Sequence, residues 1–179
     1  MSISRRVIMT KKLIKEALVN LLSKKSINKV TVKEICENAD VNRSTFYAHY
    51  TDQYGLFEEL QEDIIAVTPG ISLYEKENIY SSLTEFFKYI GKNKNIYKVL
   101  FENSRGMYFR NRILNKVFNR DDTGIEWIDG EMNLSNKMDF KMLMCAFGGM
   151  TMVEKWIFGE FQETAENLAT YMTQFIEKA

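Results

Sequence analysis

One proline, two cysteines and a single histidine are all that 179 residues hold of three types that shape many folds and sites. Glycine is nearly as scarce, with nine. So few chain breakers argue against a turn-rich β architecture and for long helices. A lone histidine leaves no Ser/His or Cys/His pair and no His-based metal cluster. No catalytic residue, metal or cofactor is therefore expected, and the chain reads as a non-enzyme. The acidic pairs Glu58-Glu59 and Asp121-Asp122 read as solvated faces or loops. Cys36 and Cys145 lie far apart without metal-ligand spacing and read as small apolar core residues in a reducing compartment. The most apolar stretch, Met142 to Val153, is too short to span a bilayer. The first residues carry no apolar run long enough for a signal peptide. These absences together lead to the expectation of a cytoplasmic protein with no membrane partner.

What is present is an ordinary globular composition, 45% hydrophobic, with a net charge of zero that hides a segregation. Residues 1–50 carry ten Lys/Arg against four Asp/Glu, and residues 51–179 carry fourteen against twenty. A basic head suited to phosphates thus precedes an acidic body that is not.

Apolar residues recur at helical spacing along most of the chain. Leu13, Ile14, Ala17, Leu18, Leu21 and Leu22 form one stripe over Thr10 to Leu22, opposite Lys11, Lys12 and Lys15. Thr31-Val32-Lys33-Glu34 fits a capping box opening a short helix with Ile35, Cys36 and Ala39 inward. Asp40-Val41-Asn42 reads as a tight turn, and Asn42 as the N-cap of another short helix through Tyr50. Thr51-Asp52 caps the next helix, with Tyr54, Leu56, Phe57, Leu60, Ile64 and Ile65, which Pro69-Gly70 stops. Three further stripes follow, around Leu83 to Ile90, Ile96 to Phe101 and Phe109 to Phe118. Asn119 to Ser135 reads as a loop around a short turn containing Trp127. Two long helices close the chain, roughly Lys137 to Phe158 and Thr164 to Glu177. The expected fold is all-α, about nine helices and no sheet. A three-helix head with a helix-turn-helix, residues 1–55, precedes a helical effector-binding and dimerisation domain, residues 56–179.

A supporting helix followed by two short helices about a tight turn is the arrangement that places a recognition helix in the major groove. Such a helix needs one face to dock and one to read. In Asn42 to Tyr50, Phe46 and Tyr50 are four apart and share the inward face, while Arg43, Ser44, Thr45 and Tyr47 cluster at the N-terminal end.

This segment resembles the DNA-binding region of the TetR family of bacterial regulators. That region reads as a Thr-led helix, an Ala-Gly-Val-Ser turn, a Thr-hydrophobic-Tyr core, a His-Phe pair, then a capped helix rich in Lys and Leu. This chain has Thr31, Ile35, Ala39-Asp40-Val41-Asn42, Thr45-Phe46-Tyr47, His49-Tyr50, Asp52 and Leu56 in that order. Asp40 replaces the turn glycine, and Gln53 stands where a phosphate-binding Lys is common. The resemblance implies double-stranded operator DNA as partner, with Arg43 reading guanine and Ser44 and Thr45 reading base edge or phosphate. Thr31, Tyr47, His49, Tyr50 and Gln53 would position the module on the backbone, and Asn42 is a further DNA-binding candidate. The amides after Asp52 would take a phosphate, and Lys11, Lys12, Arg5 and Arg6 would add salt-sensitive attraction.

The stretch Met138 to Phe158 is apolar nearly all round and needs cover on more than one side. In a TetR-like architecture its second cover is a symmetric partner. The expected dimer face joins Ala146, Gly149, Val153 and Trp156 to Leu168, Tyr171, Met172 and Phe175, and gives the two-fold axis a palindromic operator requires. The resemblance also implies an effector pocket, with Phe86, Tyr89, Tyr97, Phe101, Phe109, Phe147 and Met150 as candidates, although such a stripe is also what a plain core looks like. Gly148 to Ile157 is similar to a subgroup regulating dihydroxyacetone utilisation, some members of which answer to a protein. The expected function is a homodimeric repressor released by a small-molecule or protein effector. The alternative is a TetR-fold activator or adaptor under a protein partner's control.

Overall fold

The computed structural model describes residues 5–71, 78–103, 108–118, 125–128, 131–134 and 140–178, with side chains described outside 118–142. Those residues form nine α-helices: α1 Arg5–Leu22, α2 Val32–Ala39, α3 Arg43–Tyr47, α4 Gln53–Val67, α5 Ile79–Lys92, α6 Lys94–Asn103, α7 Tyr108–Phe118, α8 Phe140–Phe158 and α9 Ala165–Lys178. A single 3-10 turn, Ile27–Lys29, separates α1 from α2. The all-α class holds. One local expectation does not: the supposed loop contains an antiparallel hairpin, β1 Ile125–Ile128 with β2 Glu131–Leu134, in which Ile128 pairs with Glu131. The residues between the strands are Asp129-Gly130, a pair that favours the tightest hairpin turn. Met138, Asp121-Asp122 and Gly124, all read in the sequence, lie outside the described residues.

The chain divides into two compact units, Met1–Ile64 and Ile65–Ala179. The first reaches beyond residue 55, and within it ion pairs tie the middle of α4 to α1. In this unit α1 packs on α2 and α2 on α3. Ile14, Ala17, Leu18, Leu21 and Leu22 are buried on α1, Ile35, Cys36 and Ala39 on α2, and Phe46 on α3. Leu13, assigned to the same stripe, is exposed, because it falls just outside the arc that Ile14, Leu18 and Leu21 cover.

In the second unit α5 packs on α9, and α6 and α7 pack on α8. Leu83, Phe87 and Ile90 of α5, Tyr97 and Leu100 of α6, and Phe109 and Ile113 of α7 are buried, with Met150, Val153 and Trp156 of α8 and Leu168 of α9. Trp156 sets one close approach: a Cβ on Gly91 would lie 3.1 Å from its ring, so glycine lets α5 meet the indole. The indole N–H donates to the Glu163 carbonyl at 2.9 Å.

Candidate nucleic-acid interface

The turn before α3 is built by backbone geometry. Asp40 adopts the left-handed conformation, φ 51° and ψ 49°, and the Val41 N–H reaches the Cys36 carbonyl at 3.0 Å, closing α2. Asn42 is extended and its carbonyl accepts the Phe46 N–H at 3.1 Å, but its side chain makes no cap bond. The expected Asn42 side-chain cap is therefore absent, and the side chain is left exposed beside Arg43. Regular helix ends at Tyr47 rather than Tyr50, since the His49 N–H bonds back three residues to Phe46 and tightens the last turn.

Phe46 is fully buried and anchors α3. Around it Asn42, Arg43, Ser44 and Tyr47 are exposed, with Thr45, His49 and Gln53 half-buried. The Tyr47 ring stands edge-on to Phe46 at 5.6 Å, and the side chain is exposed. One short helix thus carries a guanidinium, two hydroxyls and a phenol over an apolar floor. Guanidinium N–H groups match the paired acceptors of guanine, and hydroxyls serve base edge or phosphate.

Two of the expected backbone clamps are occupied within the chain. Tyr50 is 6% exposed, its ring 5.6 Å from Phe46, and its hydroxyl donates to Glu59 at 3.2 Å. It belongs to the core rather than to the exposed face. Thr31 is exposed, but its hydroxyl donates to Glu34 Oε2 at 2.8 Å while accepting the Glu34 N–H, and its own N–H bonds the same carboxylate. The capping box forms as read, and it uses the hydroxyl proton. Lys25 also pairs with Glu34, and these bonds hold its carboxyl at about 2. The amides of Tyr54 and Gly55, expected to receive phosphate, both donate to Asp52 Oδ1 at 2.9 Å.

The basic side chains divide similarly. Lys11 reaches Glu59 at 3.0 Å, and Lys15 bridges Glu59 at 2.6 Å and Asp63. Burial works against the Glu59 charge, but the two lysines outweigh it and hold the carboxyl below its ordinary value. Lys12 keeps only a long, exposed pairing with Glu16, and Arg5 and Arg6 are exposed. Glu59, read as a solvated face, is the residue that sequence reasoning missed. The available signal was the i,i+4 pair Lys11/Lys15 on the preceding helix. Tyr54 was missed as well: it is exposed, and its hydroxyl donates to Asn28 at 3.3 Å.

In the second unit, Tyr89, Tyr97, Phe101 and Phe109 come together as rings 5.2–6.4 Å apart. Tyr97 also shares a 2.6 Å hydrogen bond with Thr68. Phe86 joins Phe87 and Trp156 instead, Met150 is buried and Phe147 is half-buried. The expected dimer residues separate into two sets. Ala146, Val153, Trp156 and Leu168 are buried within the chain, and a Cβ on Gly149 would meet Met172 at 2.8 Å, so the close approach there is to α9 of the same chain. Tyr171 and Phe175 are 51% and 48% exposed, and with Met144, 65% exposed, and Gly148 they line a groove of about 320 Å³.

Among the described residues no cluster of His, Cys, Asp or Glu could hold a metal ion, and no helix is long and apolar enough to cross a membrane.

Comparison with known proteins agrees with this geometry. Residues 14–60 match the family described as bacterial regulatory proteins, tetR family, and residues 77–178 match a transcriptional regulator C-terminal region of the same family. An uncharacterized HTH-type transcriptional regulator of Bacillus subtilis (strain 168), YxbF, is 41% identical over 51 residues, which is 28% of this chain and 13% of that protein's length. A TetR transcriptional regulator from Streptococcus agalactiae 2603V superposes with a TM-score of 0.68 over 96% of each chain, at 23% identity. The dihydroxyacetone kinase operon activator DhaS does so with a TM-score of 0.61 over 96% of each chain, at 19% identity. At these identities the two structures bear on the fold. With both parts of the chain matched, the larger over residues 77–178, the chain belongs to the TetR family of bacterial transcriptional regulators.

Proposed function

We propose that the chain is a homodimeric repressor that holds a palindromic operator through the first unit and is released by an effector taken up in the second. The carrying observation is the exposed row Arg43, Ser44 and Tyr47 on an α3 anchored by buried Phe46. Arg43 reads guanine; Ser44 and Thr45 reach base edge or phosphate; Tyr47, His49 and Gln53 set the register. Thr31 and Tyr50 support this surface from behind, through α2 and through Glu59. The apolar α8–α9 groove suits a second copy of the chain, because monomers rarely leave such a patch uncovered. The protein acts in the cytoplasm, where the operator is.

The test is fluorescence anisotropy with DNA from the region upstream of the protein's own gene. Arg43→Ala is expected to weaken binding by about 1–3 kcal/mol and to relax preference at one base pair in each half-site, with the melting temperature unchanged. Unaltered affinity and base preference would sink the assignment. Deleting the gene should raise transcription from that promoter. A fall would instead mark an activator, the role that the printed name gives DhaS.

A further inference from the structure

In the second unit, α7 takes no part in the proposed operator contact or dimer groove. α7 buries Phe109, Ile113, Leu114 and Val117. Asn111 and Asn115 lie one turn apart on a neighbouring side of the same helix. The side-chain amide oxygens of both are buried, and no group of the chain donates to either. A buried acceptor left without a donor forfeits the water it gave up, and folded proteins rarely tolerate it. Two on one side, at the spacing that brings side chains together, form a matched pair of acceptors.

We propose that Asn111 and Asn115 are the recognition pair of a small-molecule site, and that its ligand is a neutral polyol donating a hydroxyl to each amide oxygen. The ligand's charge follows from the surroundings. α7 carries Arg110, Arg112 and Lys116 and no acid, so a cationic ligand is repelled. The one acid of α8, Glu154, is held by Arg110 through both carboxylate oxygens, with Nε to Oε1 at 2.9 Å, and has no charge to spare for an amine. An anion would meet two oxygen lone pairs. An apolar ligand would leave both acceptors bare. A neutral molecule rich in O–H donors satisfies all three conditions.

The inference rests on the reading of the second unit as the sensing unit. The experiment titrates the full chain with glycerol, erythritol and xylitol, followed by calorimetry and by the side-chain amide NMR signals of Asn111 and Asn115. A saturable heat with movement of both signals is expected for at least one of the three. Asn111→Leu with Asn115→Leu should abolish it and, without ligand, melt at the same or a higher temperature. A pair that merely braced the fold would give a lower one. General stabilisation by polyols does not saturate and persists in the variant. Should the double variant not fold, Asn115→Leu should lose about tenfold in affinity, while Asn115→Asp, which keeps an acceptor, stays near wild type. No saturable binding to wild type, or saturable binding retained by the folded double variant or, failing that, by Asn115→Leu, overturns the proposal. Ligand-free operator binding by wild type is measured in parallel. Its loss refutes the regulator reading, whereas its retention without polyol binding refutes this site alone.

Discussion

At Asp40 the backbone turns through φ 51°, a region that L side chains enter at a cost and that Asp, with its short polar side chain, enters more easily than most. The departure from the family's glycine is therefore tolerable but not free. Asp40→Gly should leave operator affinity unchanged and stabilise the first unit by up to about 1 kcal/mol. Asp40→Val should cost about 1–2 kcal/mol, because a β-branched side chain has the most to lose there. Urea unfolding of the three proteins checks the order. A wild type more stable than the glycine variant would show that the Asp40 side chain contributes something beyond the turn. At this scale the sequence was readable where one residue faces one constraint, as at Asp40 and Phe46. It was less so at Tyr50, where the spacing placed the ring inward but its hydroxyl partner, Glu59, lies on another helix. Lys11 shows the same limit: its charge was visible, but the carboxylate it serves is 48 positions away.

The elements divide on similar lines. The capping box of α2 was legible because both partners lie within four residues, and the structure forms both of its bonds. The hairpin was overlooked because two four-residue strands are too short for periodicity to outweigh the polar residues around them, although Asp129-Gly130 marks the place. The box also makes α2 sensitive to acid. Bonds from Lys25 and Thr31 lower Glu34 from 4.5 to about 2. A carboxyl depressed in the folded state stabilises it fully above the ordinary value, and that contribution is lost as pH falls from about 4.5 to about 2. The urea midpoint of wild type should therefore drop across that window more steeply than that of Glu34→Gln, which has no proton to take up. Thr31→Ala should cost about 1 kcal/mol at neutral pH. Parallel midpoints for wild type and Glu34→Gln would mean that the box does not hold α2 in solution.

Across the whole molecule, the charge segregation follows the division of labour. In the proposed function the exposed basic residues of the head face phosphate, and the acidic body carries surplus charge that phosphate repels. The difference in composition between a short basic helix-turn-helix and long apolar helices was legible. Which apolar face turns outward was not, since α8 is apolar nearly all round and only its packing against the other helices of the unit shows that Trp156 and Val153 are buried while Met144 is exposed. That distinction decides how the dimer is tested. Trp156→Glu would place a charge among buried rings and unfold the unit, so its failure to dimerise would mean nothing. Phe175→Glu and Tyr171→Glu alter exposed positions lining the α8–α9 groove and should leave each chain folded, with a melting temperature close to wild type. In the proposed dimer the same substitution enters the interface twice, once from each copy, so like charges face each other across the two-fold axis. Sedimentation should then show monomers at concentrations where wild type is a dimer. Operator affinity should fall steeply, because two half-sites are no longer held together, while the weak binding of one half-site survives. A variant that remains dimeric with both charges in place would move the interface off this groove.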